Sequence, residues 1–163
     1  MVKKLHYYPQ LVVGSVMKDV RLLDHEFDFA ELLRTFSLEN KAAGGIASFT
    51  GQVRPDGDVS MLELSHYEPL TLPGMDALAD QACGRFDLDG VLVLHRIGRM
   101  APGDPIVLVA AASAHRRGAL QAVDYLMDHL KSAAWFWKRE LREDGWHWIE
   151  PRTQDYTDRS RWE

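Results

Sequence analysis

The sequence predicts an α+β fold: one domain built on a mixed, largely antiparallel sheet. Residues 90–97 and 105–112 are apolar runs rich in Val, Leu and Ile, joined by the turn sequence Pro102-Gly103-Asp104, and both read as buried strands. Short strands elsewhere are accompanied by only a few helices. The 163 residues, 46% of them hydrophobic, suit one domain with a sizeable core. No internal repeat, low-complexity tract or dividing linker interrupts them.

Each element has its own local reason. Residues 18–23 form a short strand. Residues 27–36 place Phe29, Leu32, Leu33 and Phe36 at helical spacing. Gly44-Gly45 then breaks the chain, and residues 46–53 read as a strand with Ile, Phe, Thr and Val. Residues 54–58 are a turn, and residues 60–67 alternate weakly, as a half-exposed strand does. Pro73 is placed to open a helix that runs to about Phe86. After the two apolar strands, a long helix over residues 117–131 carries Leu120, Val123, Leu126, Met127 and Leu130 on one face. Ser113 is a candidate cap for it. Trp135-Phe-Trp favours a strand, and residues 146–149 a last short one.

Composition narrows the function. The formal net charge is -5, against general nucleic-acid binding. No apolar run approaches the roughly 20 residues of a membrane span, and the first residues lack the apolar stretch of a secretory signal. A single cysteine, Cys83, forms no intramolecular disulfide, which fits a reducing cytoplasm. No Cys-x-x-Cys, His-Glu-x-x-His, Walker loop or Gly-x-Gly-x-x-Gly occurs, so no metal or cofactor is expected.

Against this acidic background two cationic clusters stand out: Ser113-Ala-His115-Arg116-Arg117-Gly118, and Lys131-Ser-Ala-Ala-Trp135-Phe136-Trp137-Lys138-Arg139. His115 and Arg116 lie where a buried strand gives way to a helix, beside free backbone N–H groups that favour anions. They also read as solvated first-turn cations, although cations there oppose the helix dipole. Lys131 falls at the helix end, where lysine is commonplace, and Lys138 on the following strand. Tryptophans beside them exclude water, which strengthens electrostatics and lowers a lysine's pKa. Arg54 at a strand end and Arg152 in the polar C-terminal region have bland readings as solvent-exposed cations. If sulfur is involved, a partner must bring it, because Cys83 has no activating surroundings.

Read in order, SFTGQVR, HYE, LHRIGRMAPGD, SAHRRGALQAVDYLMDHLK and WFWKRE resemble the successive motifs of the large, catalytic subunit of molybdopterin synthase, from about Val20 to Pro151. The resemblance implies a single-domain α/β hammerhead-type fold over residues 18–152, with residues 1–17 an N-terminal extension and residues 153–163 a polar tail. It implies a sulfurtransferase that converts cyclic pyranopterin monophosphate to molybdopterin. The sulfur comes from the C-terminal Gly-Gly thiocarboxylate of a small ubiquitin-like partner, within a heterotetramer built on a dimer of the large subunit. By motif, Lys131 and Lys138 match the essential lysines, and His115, Arg116 and Arg54 match the substrate-anion residues. Arg152 matches an arginine that reaches across the dimer interface. One departure is Trp135, where the family often has Pro. Two other classes fit the residues alone: a non-catalytic phosphometabolite-binding regulatory module, and a cofactor-independent hydrolase that needs no protein partner.

Overall fold

The computed structural model describes residues 6–13 and 16–163. In chain order the elements are β1 (His6–Val13), β2 (Val16–Leu23), α1 (Phe29–Glu39), β3 (Gly45–Gln52), β4 (Met61–His66), α2 (Glu68–Phe86), β5 (Leu88–Arg96), β6 (Gly98–Met100), β7 (Pro105–Ser113), α3 (Arg116–Ser132), β8 (Phe136–Arg142), β9 (Gly145–Ile149) and α4 (Thr153–Ser160). They form a five-stranded sheet, β1-β2-β5-β7-β3, and a four-stranded sheet, β6-β4-β8-β9. Only the β2–β5 pair is parallel among the described strands. The mixed, largely antiparallel α+β reading is therefore what the chain adopts.

The two apolar runs become β5 and β7, the centre of the larger sheet, and period-2 alternation splits their side chains between two layers. Val91, Val93, Val107, Val109 and Ala111 face α2 and α3, packing with Met75, Leu78, Ala79, Ala82, Ala122, Leu126 and Leu130. Leu92, Leu94, Leu108, Ala110 and Ala112 face the other way, against Phe36 of α1 and its neighbours Leu32 and Leu33. Being covered on both faces explains why these strands read as continuous apolar runs rather than alternating ones. The turn between β6 and β7 holds Gly103 at φ +93°, a conformation that favours glycine. The smaller sheet turns one face inward, with Leu62, Leu64, Met100 and Phe136 packed beside Val53 and Ile106.

Several expectations change. Helix α2 opens at Glu68, with Pro69 in its first turn, so Pro73 lies inside the helix. Pro73 is exposed, which leaves the carbonyl it cannot serve to water. The first 17 residues include β1, the edge strand of the main sheet, and the first two residues of β2, so the extension does not stand apart from the domain. Residues 153–163 are not simply a polar tail. They form α4, whose own residues are all at least partly exposed, and a two-residue anchor beyond it. The Arg161 guanidinium pairs with Asp124 and Asp128, both at 2.7 Å, and the Trp162 indole N–H donates to Asp128 at 2.6 Å. The Trp162 ring meets Tyr125 and Phe86 edge-on.

Candidate functional site

The chain enters α3 through His115, whose backbone is extended (φ −128°, ψ 137°) and whose side chain makes no capping bond. Ser113 is not the cap: its hydroxyl donates to the Asp87 carbonyl at 3.3 Å and accepts the His115 N–H at 3.4 Å. The first turn of α3 holds no acidic residue. Instead it presents Arg116 and Arg117, exposed together with His115. Uncapped N–H groups, the helix dipole and cationic side chains thus converge on one solvent-facing spot suited to an anion.

The second cluster lies at the far end of the same helix. Lys131 is exposed in the last turn of α3, and Lys138 lies on β8 opposite Leu64 and Ile149. The Lys138 ammonium is held below the usual lysine range, first by loss of surrounding water and then by repulsion from Lys131, Arg152 and Arg54; Glu140 pulls the other way. Lys138 is itself exposed, and the downward direction comes from the part of its hydration that neighbouring residues remove. Glu140 is itself engaged by Arg142 at 3.0 Å, and Arg54 meets Asp56 only at 3.3 Å on the exposed loop. Among the described residues neither lysine has an ion-pair partner. Four cations thus converge on one end of the molecule, balanced in part by Glu140 and by the carboxylates that line the groove beside Lys131, an arrangement suited to an anion and to proton exchange at its central lysine.

Two devices hold this end in place. The Trp135 carbonyl, between the two lysines, accepts the Tyr67 N–H at 3.2 Å and sits 3.3 Å from the Thr71 hydroxyl, whose shorter bond is to the Tyr67 carbonyl at 2.9 Å. Next to it the Phe136 ring stacks on His95 of β5, centroids 4.1 Å apart. Arg152, at the start of α4, donates its backbone N–H to Asp155 at 2.8 Å, and the Arg161–Trp162 anchor fixes the other end of that helix against α3. The sequence reading missed both devices. Arg161 and Trp162 lie in a strongly polar stretch, and the only signal was an acidic pair one turn apart on α3, Asp124 and Asp128.

Of the six predicted site residues, the structure gathers Lys131, Lys138, Arg54 and Arg152, and leaves His115 and Arg116 elsewhere. Fifteen residues separate Arg116 from Lys131 on α3, or about 22 Å at ~1.5 Å per residue. Arg152, matched by resemblance to an arginine reaching across an interface, acts here on Lys138 of its own chain. A groove of about 380 Å³ runs along α3 towards Lys131, floored by Phe49, Leu120, Val123 and Met127 and edged by the four carboxylates Asp124, Asp128, Asp155 and Asp158. Phe49 and Leu120 are substantially exposed, as is Trp137 beside Lys138. Among the described residues no group of three or more His, Cys, Asp or Glu side chains is placed to hold a metal ion. No helix among them is long and apolar enough to cross a membrane.

Comparison with known proteins gives this geometry its context. Residues 22–133 match the family model of the MoaE protein. A molybdopterin synthase catalytic subunit from Caulobacter vibrioides is 43% identical over 145 residues, covering 88% of this chain and 97% of that relative. The solved structure of the molybdopterin biosynthesis MoaE protein from Burkholderia ambifaria superposes with a TM-score of 0.75 at 34% identity, covering 88% of this chain and 96% of that one. The fold is also that of a chain in the protein–protein complex of subunits 1 and 2 of the molybdopterin-converting factor from Helicobacter pylori, with a TM-score of 0.70 at 22% identity over 82% of this chain and 91% of that one.

Proposed function

The chain belongs to the MoaE protein family, and from that premise we infer that it is a catalytic subunit of molybdopterin synthase, a sulfurtransferase of molybdenum cofactor biosynthesis. It takes sulfur from the C-terminal thiocarboxylate of a small ubiquitin-like subunit and converts cyclic pyranopterin monophosphate to molybdopterin. The reaction belongs in the cytoplasm, in keeping with a lone unpaired cysteine, Cys83.

The observation that carries the assignment of roles is the crowding of Lys131, Arg54 and Arg152 around Lys138. A thiocarboxylate and a cyclic phosphate are both anions, and both must be brought together before any bond changes. The cations overcome that repulsion. Lys131, exposed and without an ion-pair partner among the described residues, polarises the incoming acyl-sulfur group. Lys138, its proton loosened by desolvation and like charge, moves protons as the sulfur is passed on. Arg54 and Arg152 hold the substrate's charged groups.

His115 and Arg116 serve the same substrate from a second copy of the chain. A helix with an anion-gripping start and a lysine at its end places the two about 22 Å apart. An antiparallel, two-fold pairing along α3 brings the start of one copy to the end of the other. The exposed Phe49 and Leu120 supply the apolar contact such a pairing needs, and the carboxylates edging the groove complement Arg116 and Arg117. Mixing Arg116→Ala chains with Lys131→Ala chains tests this reading. The mixed dimer holds one site with both lesions and one intact site, so sulfur transfer returns to as much as half of wild type per mixed dimer. Mixing Lys131→Ala with Arg152→Ala chains leaves every site damaged and restores nothing. Confirmed subunit exchange without recovery in the first mixture rejects the shared site.

A further inference from the structure

We propose that Trp135 and Gly74 form a lock that fixes the separation of Lys131 and Lys138, which makes both of them positioning residues for the reaction. The inference rests on the reading that those two lysines act together.

The lysines sit on different elements, Lys131 at the end of α3 and Lys138 on β8, and a short connection joins them. Nothing in either element's own hydrogen bonding fixes the angle between them. What fixes it is the connection, and its ties lead to α2 and β5 rather than to the lysines. Ser132 is buried and donates its hydroxyl back to the Asp128 carbonyl at 2.8 Å. The Trp135 carbonyl accepts the Tyr67 N–H at the start of the first turn of α2 and lies 3.3 Å from the Thr71 hydroxyl, which gives its hydrogen chiefly to the Tyr67 carbonyl at 2.9 Å. Thr71 is fully buried, so that turn is a firm support. The Trp135 side chain then lies across Gly74. A Cβ built on Gly74 would stand 2.5 Å from both Cε2 and Cζ2 of the indole and 2.8 Å from its Nε1.

Glycine inside a helix is less stable than alanine, so Gly74 needs a local reason. The indole supplies it: only a residue without a side chain leaves room for the ring. The ring is rigid and packed against the core, unlike the loose end of a flexible chain, so it has no cheap way to move. Gly74 and Trp135 are thus one joint read from two sides, 61 residues apart in sequence. If the joint opens, the charged groups facing Lys138 are rearranged: Lys131, and Arg152 with it through the anchor of α4 on α3, move relative to β8, which carries Glu140 together with Lys138, while Arg54 stays on its loop.

The test uses full-length chains carrying Gly74→Ala, Trp135→Ala, or both. Competitive acylation of the lysine amines across pH, read by mass spectrometry, reports the Lys138 titration without requiring turnover. Gly74→Ala is expected to move the Lys138 midpoint up towards an ordinary lysine, because water and distance relieve the crowding. With the thiocarboxylated small subunit and cyclic pyranopterin monophosphate, kcat should fall on the order of ten- to a hundredfold with KM little changed, the effect of misplacing reacting groups by about an ångström. In the Trp135→Ala background the same Gly74→Ala change should do nothing further, since the ring it collides with is gone. Equal effects in both backgrounds, or none in the wild-type background, overturn the lock. Should Gly74→Ala fail to fold, Trp135→Ala alone decides: an unchanged Lys138 midpoint overturns the lock, and a raised one supports it. A wild-type chain that transfers no sulfur would instead reject the functional reading, while the labelling midpoints would still judge the joint.

Discussion

The two sheets are built from different kinds of residue and do different work: β5 and β7 are mostly apolar, whereas β8 and β9 interleave tryptophans with charged and polar side chains. In the five-stranded sheet, β5 and β7 are buried almost without interruption, clothed by α1 on one face and by α2 and α3 on the other. In the four-stranded sheet only the inner face is packed. Its outer face keeps Trp137 and Trp148 in solvent at 50% and 64% exposure, with the Arg139 guanidinium 4.4 Å above the Trp146 ring. A layer covered twice resists change and makes a scaffold. A layer covered once is packed less fully, and Lys138 stands on its inner face, in line with Phe136 and opposite Leu64. The chemistry proposed above sits where burial is incomplete, steadied by contacts back to the part where burial is complete.

The largest expected effect comes from a change on the catalytic side. Lys131→Ala should leave the thermal transition almost untouched, because an exposed lysine at a helix end contributes little, yet cut sulfur transfer by about 10²- to 10³-fold through loss of electrostatic stabilisation. Near wild-type turnover would erase the division of labour between the sheets. Next is His95, the joint between them, buried on β5 under the Phe136 ring with its Nδ1–H donating to the Arg96 carbonyl at 2.9 Å. Burial pushes this imidazole down to about 4. The unfolded chain takes up the proton near 6.5 and the folded chain only near 4, so stability is complete above about pH 6.5 and drains away as pH falls towards 4. The loss should reach roughly 3 kcal/mol, read by denaturant titration from pH 7 to pH 4. His95→Phe keeps a ring under Phe136 and should flatten that part of the pH dependence; an unchanged slope would count against the assignment. The smallest effect is expected at the anion grip. Arg116→Ala should weaken phosphate-bearing substrate by about 1.5–3 kcal/mol, roughly 10- to 150-fold, and added salt should narrow the gap between variant and wild type. Unchanged affinity by titration would remove Arg116 from the site.

How much of this could be read from the sequence follows from the same contrast. Strands β5 and β7 and helix α3 were legible because complete burial writes itself into composition, as apolar runs and a helical stripe. Both lysines and the anion-binding helix start were legible as clusters, since cations among aromatics are conspicuous in an acidic chain. What escaped depends on distance along the chain. Pro73, read as a helix-opening proline, puts the start of α2 five residues too late, because Pro69 already lies in the first turn and the carbonyl that Pro73 cannot serve is free to face water. Arg152 was visible, but not the Arg161–Trp162 anchor that brings it beside Lys138, because that anchor is defined by carboxylates on another helix. The room that Gly74 leaves for Trp135 has no local signature at all.

The parallel pairing of β2 with β5 has a consequence for how the chain reaches this form. Met17 lies opposite Gly90 and Leu23 opposite Arg96, so the register joins stretches more than seventy residues apart. The antiparallel β5–β7 pair, by contrast, closes over a short connection. Loop closure is cheapest over short spans, and topologies rich in distant contacts fold slowly. The β5–β7 hairpin is therefore the natural nucleus, with α3 laid against it. On a ribosome, β2 emerges early and pairs at once with β1, but the edge that β5 will cover has no partner until α1, β3, β4 and α2 have all been made. Its exposed edge is bare for that whole interval, which makes the first third of the chain the stretch where a chaperone would have most to protect.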